Sequence, residues 1–230
     1  MSPFPAALPP PVVDSRILPE MAPCADPSAV LAALAAVPPG ALIAADADET
    51  LWAADVGDEV VHLASDGGGP FVKGSADFEW YSREMAAGDY ANACRFAALL
   101  LAGVDTSAAR AALTPTLTRI PLRIWLIDGL RQAMGRGVRL VIVSASPQSV
   151  VRWAADLHGL ADATVIGIEA DANGVLEPAP VGFGKVDAWQ RRGLPQPEVA
   201  LGDSRWDGPL LQMAKRGFLL QKASKDTFTA

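Results

Sequence analysis

The chain has 230 residues, half of them apolar, with a net charge of −7 and a sequence pI near 4.8. This length suits one α/β domain, with room for an inserted subdomain. An acidic chain of this kind lacks the electrostatic footprint of a protein that binds nucleic acid or an anionic membrane. Binding of a small anionic substrate is not excluded, because a local site can be cationic in an acidic protein.

The two cysteines, Cys24 and Cys94, do not form a CxxC pair, which argues against a disulfide framework or a zinc site. No apolar run reaches the roughly 20 residues that a membrane-spanning helix needs. The N-terminal stretch has no basic region and is interrupted by prolines, so it does not resemble a secretion signal. We therefore expect a cytoplasmic protein.

The first elements alternate between loop, helix and strand. Residues 1–26 are rich in proline and predict an irregular N-terminal arm. The stretch 26–37 begins with Asp26 and Pro27 and predicts a helix, because Asp caps helix N-termini and Pro is tolerated in the first turn. "ALIAAD" at 41–46 predicts a short buried strand. Residues 53–120 contain no strong strand pattern and predict a helical insertion.

Strands and helices alternate again from residue 121. A helix at 121–137 precedes a β-branched strand at 138–146. A further strand and a hairpin that turns at Asn173-Gly174 are predicted within 163–181. Strands at about 200 and 220 follow, each after a helix. Repeated βα units predict an α/β core, formed by 27–52 and 121–230, with a parallel sheet and helices on both faces.

Polar residues cluster where these strands end. In open α/β sheets, ligands bind at the carboxyl ends of the strands, so we expect these side chains to share one crevice. They are Asp46, Asp48 and Thr50 after the first strand, Ser144 and Ser146 after the second, Asp203, Ser204 and Asp207 near residue 200, and Lys185 at the start of a helix.

The residue types in this crevice favour phosphate chemistry. Several carboxylates suit a hard cation such as Mg²⁺, which would also offset their mutual repulsion. A lysine and a serine hydroxyl suit a phosphate. A carboxylate can attack phosphorus, and a second one nearby can move protons. Taken alone, the acids at 46–49 could instead form a solvated loop or a cation-binding turn. An EF-hand is excluded because Leu51 and Gly57 occupy its sixth and twelfth positions.

Four segments together resemble a known family. "DADET", "VIVSAS", the lysine of "GFGK" and "GDSRWD" stand in the order and spacing of the four motifs of haloacid dehalogenase-like (HAD) hydrolases. "NGVLEPAPVGFGKVDAW" further resembles the hairpin-to-lysine segment of the phosphoserine phosphatase-like branch. The resemblance covers about residues 41–220. It implies a Rossmann-like α/β core and a helical cap, which corresponds to the insertion at 53–120.

The resemblance also implies roles for the motif residues. Asp46 would be the nucleophile and Asp48 the general acid/base, while Ser144 and Lys185 would bind the transferring phosphoryl group. Asp46, Asp48 through its carbonyl, and Asp203 would hold Mg²⁺. Asp207 would support this metal site and orient Lys185. These assignments imply a Mg²⁺-dependent phosphatase that forms an aspartyl-phosphate.

We assign four residues to substrate binding: Thr50, Asp55, Arg95 and Ala145. Thr50 would also brace the first loop. By resemblance to the phosphoserine enzymes, Asp55 would meet a substrate amine and Arg95 a substrate carboxylate. The sequence departs from those enzymes at Glu49 and at "SASP", where they have a smaller residue and a glycine-rich turn.

The expected partner is a small phosphorylated metabolite, with no nucleic acid or membrane, and the chain would act as a monomer or homodimer. A phosphotransferase, a phosphocholine-type phosphatase and an idle Mg²⁺/phosphate-binding module are the alternatives. An aromatic set in or beside the insertion could form a cage for a quaternary ammonium group or simply pack in the core: Trp52, Phe78, Trp80, Tyr81 and Phe96.

Overall fold

The computed structural model describes residues 16–24, 26–87 and 90–221. Its main sheet has six parallel strands in the order β1-β8-β7-β2-β3-β4, and β5 and β6 form a separate antiparallel pair. The strands are β1 (Pro23–Cys24), β2 (Leu42–Ala45), β3 (Arg139–Pro147), β4 (Thr164–Ile168), β5 (Ala170–Asp171), β6 (Gly174–Val175), β7 (Val199–Gly202) and β8 (Arg216–Leu220).

Helices account for most of the remaining described chain. The helices are α1 (Pro27–Ala35), α2 (Val56–Asp66), α3 (Phe78–Ala87), α4 (Tyr90–Ala102), α5 (Thr106–Arg119), α6 (Ile124–Gly135), α7 (Gln148–Leu157), α8 (Phe183–Arg191) and α9 (Gly208–Met213). A short 3₁₀ turn covers Arg205–Asp207. None of the helices in the described ranges is long and apolar enough to cross a membrane.

The sheet is covered by helices on both faces, as β2 illustrates. Successive side chains of a strand point to opposite faces, and all four residues of β2 are buried. Leu42 and Ala44 join one apolar cluster with residues of α8 and α9. Ile43 and Ala45 join the other cluster, with residues of α1, α6 and α7. The predicted α/β fold, a parallel sheet between helical layers, is confirmed.

The edge of the sheet differs from the sequence prediction. Within the arm predicted to be irregular, Pro23 and Cys24 form β1 and pair in parallel with Leu219 and Leu220 of β8. A strand of two residues that includes proline is too short to show a period of two, so no sequence pattern predicts it. Residues 1–15 of the predicted arm lie outside the described residues.

Helices α2 to α5 follow β2 and its polar loop. The chain leaves for these helices and returns from them through two adjacent segments: the amide of Ala53 donates to the carbonyl of Pro121, and the amide of Arg123 donates to the carbonyl of Leu51. Helix α4 contacts β3 and the β5–β6 hairpin. It therefore lies over the carboxyl end of the sheet, although the division into a core and a cap at 53–120 stays a prediction.

Candidate active site

Lys185 occupies the centre of the carboxylate cluster. It lies in the first turn of α8 and is 2% exposed. Its Nζ donates to Oδ1 of Asp46 and to Oδ1 of Asp207, each at 2.5 Å. Asp46 follows β2 and Asp207 ends the 3₁₀ turn after β7. Three separate segments of the chain thus meet at one buried ammonium group.

Asp207 braces this arrangement with its second oxygen. Oδ2 accepts from the backbone amides of Asp203 and Ser204 at 3.2 and 3.0 Å, and from the Ser204 hydroxyl at 2.9 Å. Gly202 makes room for the carboxylate, because a Cβ at this position would lie 2.4 Å from Cβ of Asp207. Both oxygens of Asp207 are therefore engaged by protein donors, and Ser204 acts as the cap of the turn.

Asp203 faces the same cluster from the end of β7. Its Oδ1 accepts from the hydroxyl of Thr50 at 2.9 Å, which ties the loop after β2 to the loop after β7. Burial and the neighbouring Asp207 raise the pKa of Asp203 to about 7. Burial likewise raises the pKa of Asp46 well above its ordinary value, although Lys185 opposes the shift.

The cluster fits a small divalent cation. Asp46, Asp203 and Asp207 are buried, and each offers an oxygen within 4.8 Å of those of the other two. Carboxylate oxygens are the ligands that Mg²⁺ takes in proteins, so these residues could hold one. One lysine does not balance three carboxylates. Burial raises the pKa values of Asp46 and Asp203, and the neighbouring carboxylates add to the shift. The hydrogen bonds of the described residues leave Oδ2 of Asp46 and Asp203 free to act as ligands.

Asp48 is held by four hydrogen bonds beside this cluster. Its Oδ1 accepts from the indole of Trp52 at 2.8 Å and from the amide of Val56 at 3.0 Å. Its Oδ2 accepts from the hydroxyls of Ser146 at 2.7 Å and Ser144 at 3.3 Å. Burial raises the pKa of Asp48, and these hydrogen bonds oppose the shift. The carboxylate is thus fixed in orientation, so any metal contact from this residue would come from its carbonyl.

Ser146, which the sequence predicts at the crevice but without a catalytic or binding role, is part of the site. In addition to its bond with Asp48, its amide donates to the hydroxyl of Ser144 at 3.0 Å. Strand β3 continues to Pro147, so Ser144 and Ser146 point to the same side of it. This alternation of side chains along the strand was the signal in the sequence that could have placed Ser146 beside Ser144. Ala145 points the other way and packs in a small cluster with Cys94 of α4.

Asp55 approaches the site from the start of α2. Its Oδ1 caps the helix by accepting from the amides of Gly57 and Asp58, and it lies 3.4 Å from the Ser146 hydroxyl. Burial, followed by the charges of Asp48 and Asp58, raises the pKa of Asp55 well above its ordinary value. The start of α2 therefore places a further buried carboxylate beside the site.

Two aromatic residues connect α4 to the 3₁₀ turn. The rings of Tyr90 and Trp206 stack with their centroids 5.8 Å apart and their planes at 6°. Burial raises the pKa of Tyr90, and the charges of Cys94 and Asp55 raise it further. Tyr90 also packs against the small cluster that contains Cys94 and Ala145. Trp206 is not among the site residues predicted from the sequence, and its ring partner is more than 100 positions away.

Arg95 and two members of the aromatic set, Trp80 and Phe96, contact residues other than the carboxylates. Arg95 is half-buried on α4 and its Nη1 donates to Asn92 at 3.4 Å; no hydrogen bond of the described residues ties it to the carboxylates. Its contact with substrate stays a prediction. Trp80 and Phe96 pack edge to face with centroids 5.0 Å apart, which agrees with the packing alternative for the aromatic set.

The family follows from comparison with known proteins. The model of the haloacid dehalogenase-like hydrolases matches residues 43–212, well over half of the chain. The chain belongs to the haloacid dehalogenase-like hydrolase family. The family predicted from the four motifs is thereby confirmed. No curated protein sequence matches this HAD hydrolase significantly.

Solved structures share the fold at low sequence identity. A protein of unknown function from Bordetella pertussis Tohama I matches with a TM-score of 0.63 and 20% identity, over 76% of this chain and 87% of that one. A substrate-bound phosphoserine phosphatase matches with a TM-score of 0.51 and 17% identity, over 82% and 90%. A HAD family hydrolase from Salmonella enterica subsp. enterica serovar Typhi matches at 0.51 and 18%, over 78% of this chain and 62% of its own length.

Proposed function

We propose that this HAD hydrolase is a Mg²⁺-dependent phosphatase that cleaves a small phosphomonoester through an aspartyl-phosphate on Asp46. The observation that carries the proposal is the buried Lys185, whose ammonium bridges Asp46 and Asp207. A carboxylate held against an ammonium in a buried acidic cluster suits a nucleophile that must accept a group with several negative charges.

The residues divide the reaction between them. A carboxylate oxygen of Asp46 attacks phosphorus while the ester bond to the leaving group breaks, and Asp48 donates a proton to the departing oxygen. Water then attacks the phosphoryl group, Asp48 takes up its proton, and the bond to Asp46 breaks to release phosphate. Lys185 and the Ser144 hydroxyl stabilise the charge of the phosphoryl oxygens.

Asp46 and Asp203 would hold Mg²⁺ directly, and Asp207 would act mainly as the brace of Lys185, because both of its oxygens already accept from protein donors. When bound, the cation would neutralise phosphoryl oxygens and align the transferring group. Helices α2 to α5 would form the cap that encloses the substrate and excludes water.

The substrate would be a small metabolite that contacts the cap side. Asp55 and Asp58 make this side acidic, and Oδ1 of Asp58 is buried without a hydrogen bond from the described residues. A cationic group on the substrate, as in phosphoserine or phosphocholine, would be attracted there. A panel of phosphorylated metabolites that includes both compounds, compared with uncharged analogues, would identify the class.

The reaction is tested with p-nitrophenyl phosphate in the presence of Mg²⁺ or EDTA. We expect turnover that EDTA abolishes and added Mg²⁺ restores, and a loss of at least about 10³-fold in Asp46→Asn, because this change removes the nucleophile. Asp128→Asn is the matched control, since Asp128 forms an exposed ion pair with Arg131. Wild-type turnover in Asp46→Asn would refute the assignment. Acceptor alcohols added to the assay would reveal a phosphotransferase through phosphorylated products.

A further inference from the structure

Arg123 is a buried cation at the point where the chain returns from the inserted helices. It is 3% exposed and immediately precedes α6. Its Nε donates to the carbonyl of Thr50 at 2.9 Å, and its Nη2 donates to the carbonyls of Glu49 at 3.0 Å and Gln221 at 3.3 Å. Burying a charged group costs free energy unless hydrogen bonds compensate for it, so this placement requires a structural reason.

The segment that Arg123 contacts is the loop that carries the nucleophile. Glu49 has φ of 58°, in the left-handed region that a side chain with a Cβ adopts at a cost. Two consecutive carbonyls of this strained segment point at one guanidinium group. The fork of a guanidinium can engage two carbonyls at once, whereas an ammonium group is a single point.

The same loop connects Arg123 to the reacting groups. Thr50, whose carbonyl accepts from Nε of Arg123, donates its hydroxyl to Asp203. Asp48, which precedes Glu49, contributes the acid/base carboxylate in the proposed reaction. A change in the peptide planes at Glu49 and Thr50 would therefore displace groups on both sides of the site.

The junction with the inserted helices is fixed by the same residue. The backbone amide of Arg123 donates to Leu51, and Trp52 pairs with Leu122 in an antiparallel bridge. The outgoing and returning segments are thus joined next to the guanidinium. Whatever moves the returning segment also moves the anchor of the catalytic loop.

We propose that Arg123 is a positioning residue that holds the strained Glu49–Thr50 backbone in its catalytic geometry and couples it to the cap junction. This inference deepens the phosphatase function proposed above and rests on it. The hydrogen bonds of Arg123 to the carbonyls of Glu49 and Thr50 act on the loop that bears the reacting groups.

The test compares Arg123→Lys and Arg123→Ala with the same changes at Arg136. Arg136 is a matched control because its guanidinium also donates to backbone carbonyls, those of Leu34 and Gln132, away from the site. For Arg123→Lys we expect kcat with p-nitrophenyl phosphate to fall at least about 10-fold, since small displacements of catalytic groups are costly, while KM changes less than about 2-fold, as expected when an interaction specific to the transition state is lost. The Arg136 variants keep the wild-type kcat.

Two further readouts separate positioning from general destabilisation. Guanidinium at tens of millimolar should restore part of the kcat of Arg123→Ala and leave the kcat of Arg136→Ala unchanged. Hydrogen exchange in the 46–53 segment should accelerate in Arg123→Lys and stay unchanged in Arg136→Lys. If Arg123→Ala does not fold, the kcat and the hydrogen exchange of Arg123→Lys test the proposal by themselves. A wild-type kcat or unchanged exchange in Arg123→Lys overturns the proposal.

The outcome also distinguishes this inference from the proposed function. A wild-type protein no more active than Asp46→Asn would refute the phosphatase assignment. Hydrogen exchange in the 46–53 segment would then still decide whether Arg123 holds the loop.

Discussion

Individual hydrogen bonds orient the residues that carry the proposed chemistry. Asp48 receives donors from a tryptophan, a backbone amide and two serines. The shortest of these hydrogen bonds, at 2.7 Å, comes from Ser146. An acid/base that must give and then take a proton works best when its carboxylate cannot rotate away from the reacting oxygen.

Ser146→Ala tests this contribution. A hydrogen bond to a charged group contributes about 1.5–3 kcal/mol, so its loss should lower kcat about 10-fold or more, with little change in KM. Steady-state kinetics with p-nitrophenyl phosphate measure both constants. Ser75→Ala is the control, because the Ser75 hydroxyl donates to the carbonyl of Ala64, away from the carboxylates. An unchanged kcat in Ser146→Ala would show that the other three donors suffice.

Some of the side chains that form the site were predicted from the sequence, and others were not. Asp46, Asp203 and Lys185 were predicted together because each follows a strand or opens a helix at the same end of the sheet. Trp52 was predicted only as a member of the aromatic set, not as a donor to Asp48, and Arg123 was not predicted as part of the site. Nothing in the local pattern marks an indole or a guanidinium as the donor to a loop, since that depends on which groups packing brings into reach.

At the scale of elements, β7 and the turn after it depend on a close approach between backbone and side chain. Gly202 ends β7 directly beneath the carboxylate of Asp207, and a Cβ would meet three atoms of this side chain within 2.8 Å. The side chain cannot yield freely, because the amides of Asp203 and Ser204 and the ammonium of Lys185 hold it from several directions.

Gly202→Ala should therefore cost both stability and activity. We expect overpacking to lower the free energy of unfolding by about 1–3 kcal/mol, and the displacement of Asp207 from Lys185 to reduce kcat by about 10²-fold. Thermal or urea unfolding and the phosphatase assay measure the two effects. Gly135→Ala, in α6 with open space around its Cβ position, should be neutral or slightly stabilising. Equal behaviour of the two variants would argue against the close approach.

The order of elements was predictable because it depends on local periodicity. The run "ALIAAD" and the β-branched run before Ser144 correspond to β2 and β3, and the predicted hairpin corresponds to β5 and β6. Its turn lies one residue earlier than predicted, at Ala172-Asn173, because Gly174 pairs with Asp171. The two-residue strand β1 was not predictable. Its pairing with β8 joins segments nearly 200 residues apart, and no local property of Pro23 and Cys24 requires it.

At the scale of the whole molecule, His158 links core packing to pH. It is 8% exposed at the end of α7, and its Nε2 lies 2.8 Å from the carbonyl of Leu117 at the end of α5. Burial lowers the pKa of His158, the bond to Leu117 opposes the shift, and Arg131 adds to it. The folded protein therefore favours the neutral ring more than the unfolded chain does.

This lowered pKa makes stability depend on acid pH. Above the unfolded pKa, near 6.5, the ring is neutral in both states and contributes no dependence. As the pH falls below this value, the unfolded chain takes up the proton first, so the free energy of unfolding decreases until the folded pKa is passed. Urea unfolding between pH 7.5 and 5 should show a smaller decrease in His158→Gln than in the wild type. Parallel curves would exclude His158 as the source.

The sequence by itself determined the family, the parallel sheet and the identity of the chemical groups, because strand periodicity and the motif spacings are properties of neighbouring residues. Only the tertiary structure decided how these groups are held. The four donors around Asp48, the brace of Asp207 and the guanidinium beneath Glu49 join segments up to about 100 positions apart. A buried polar group must find its partner wherever packing places one, and no local pattern specifies that place.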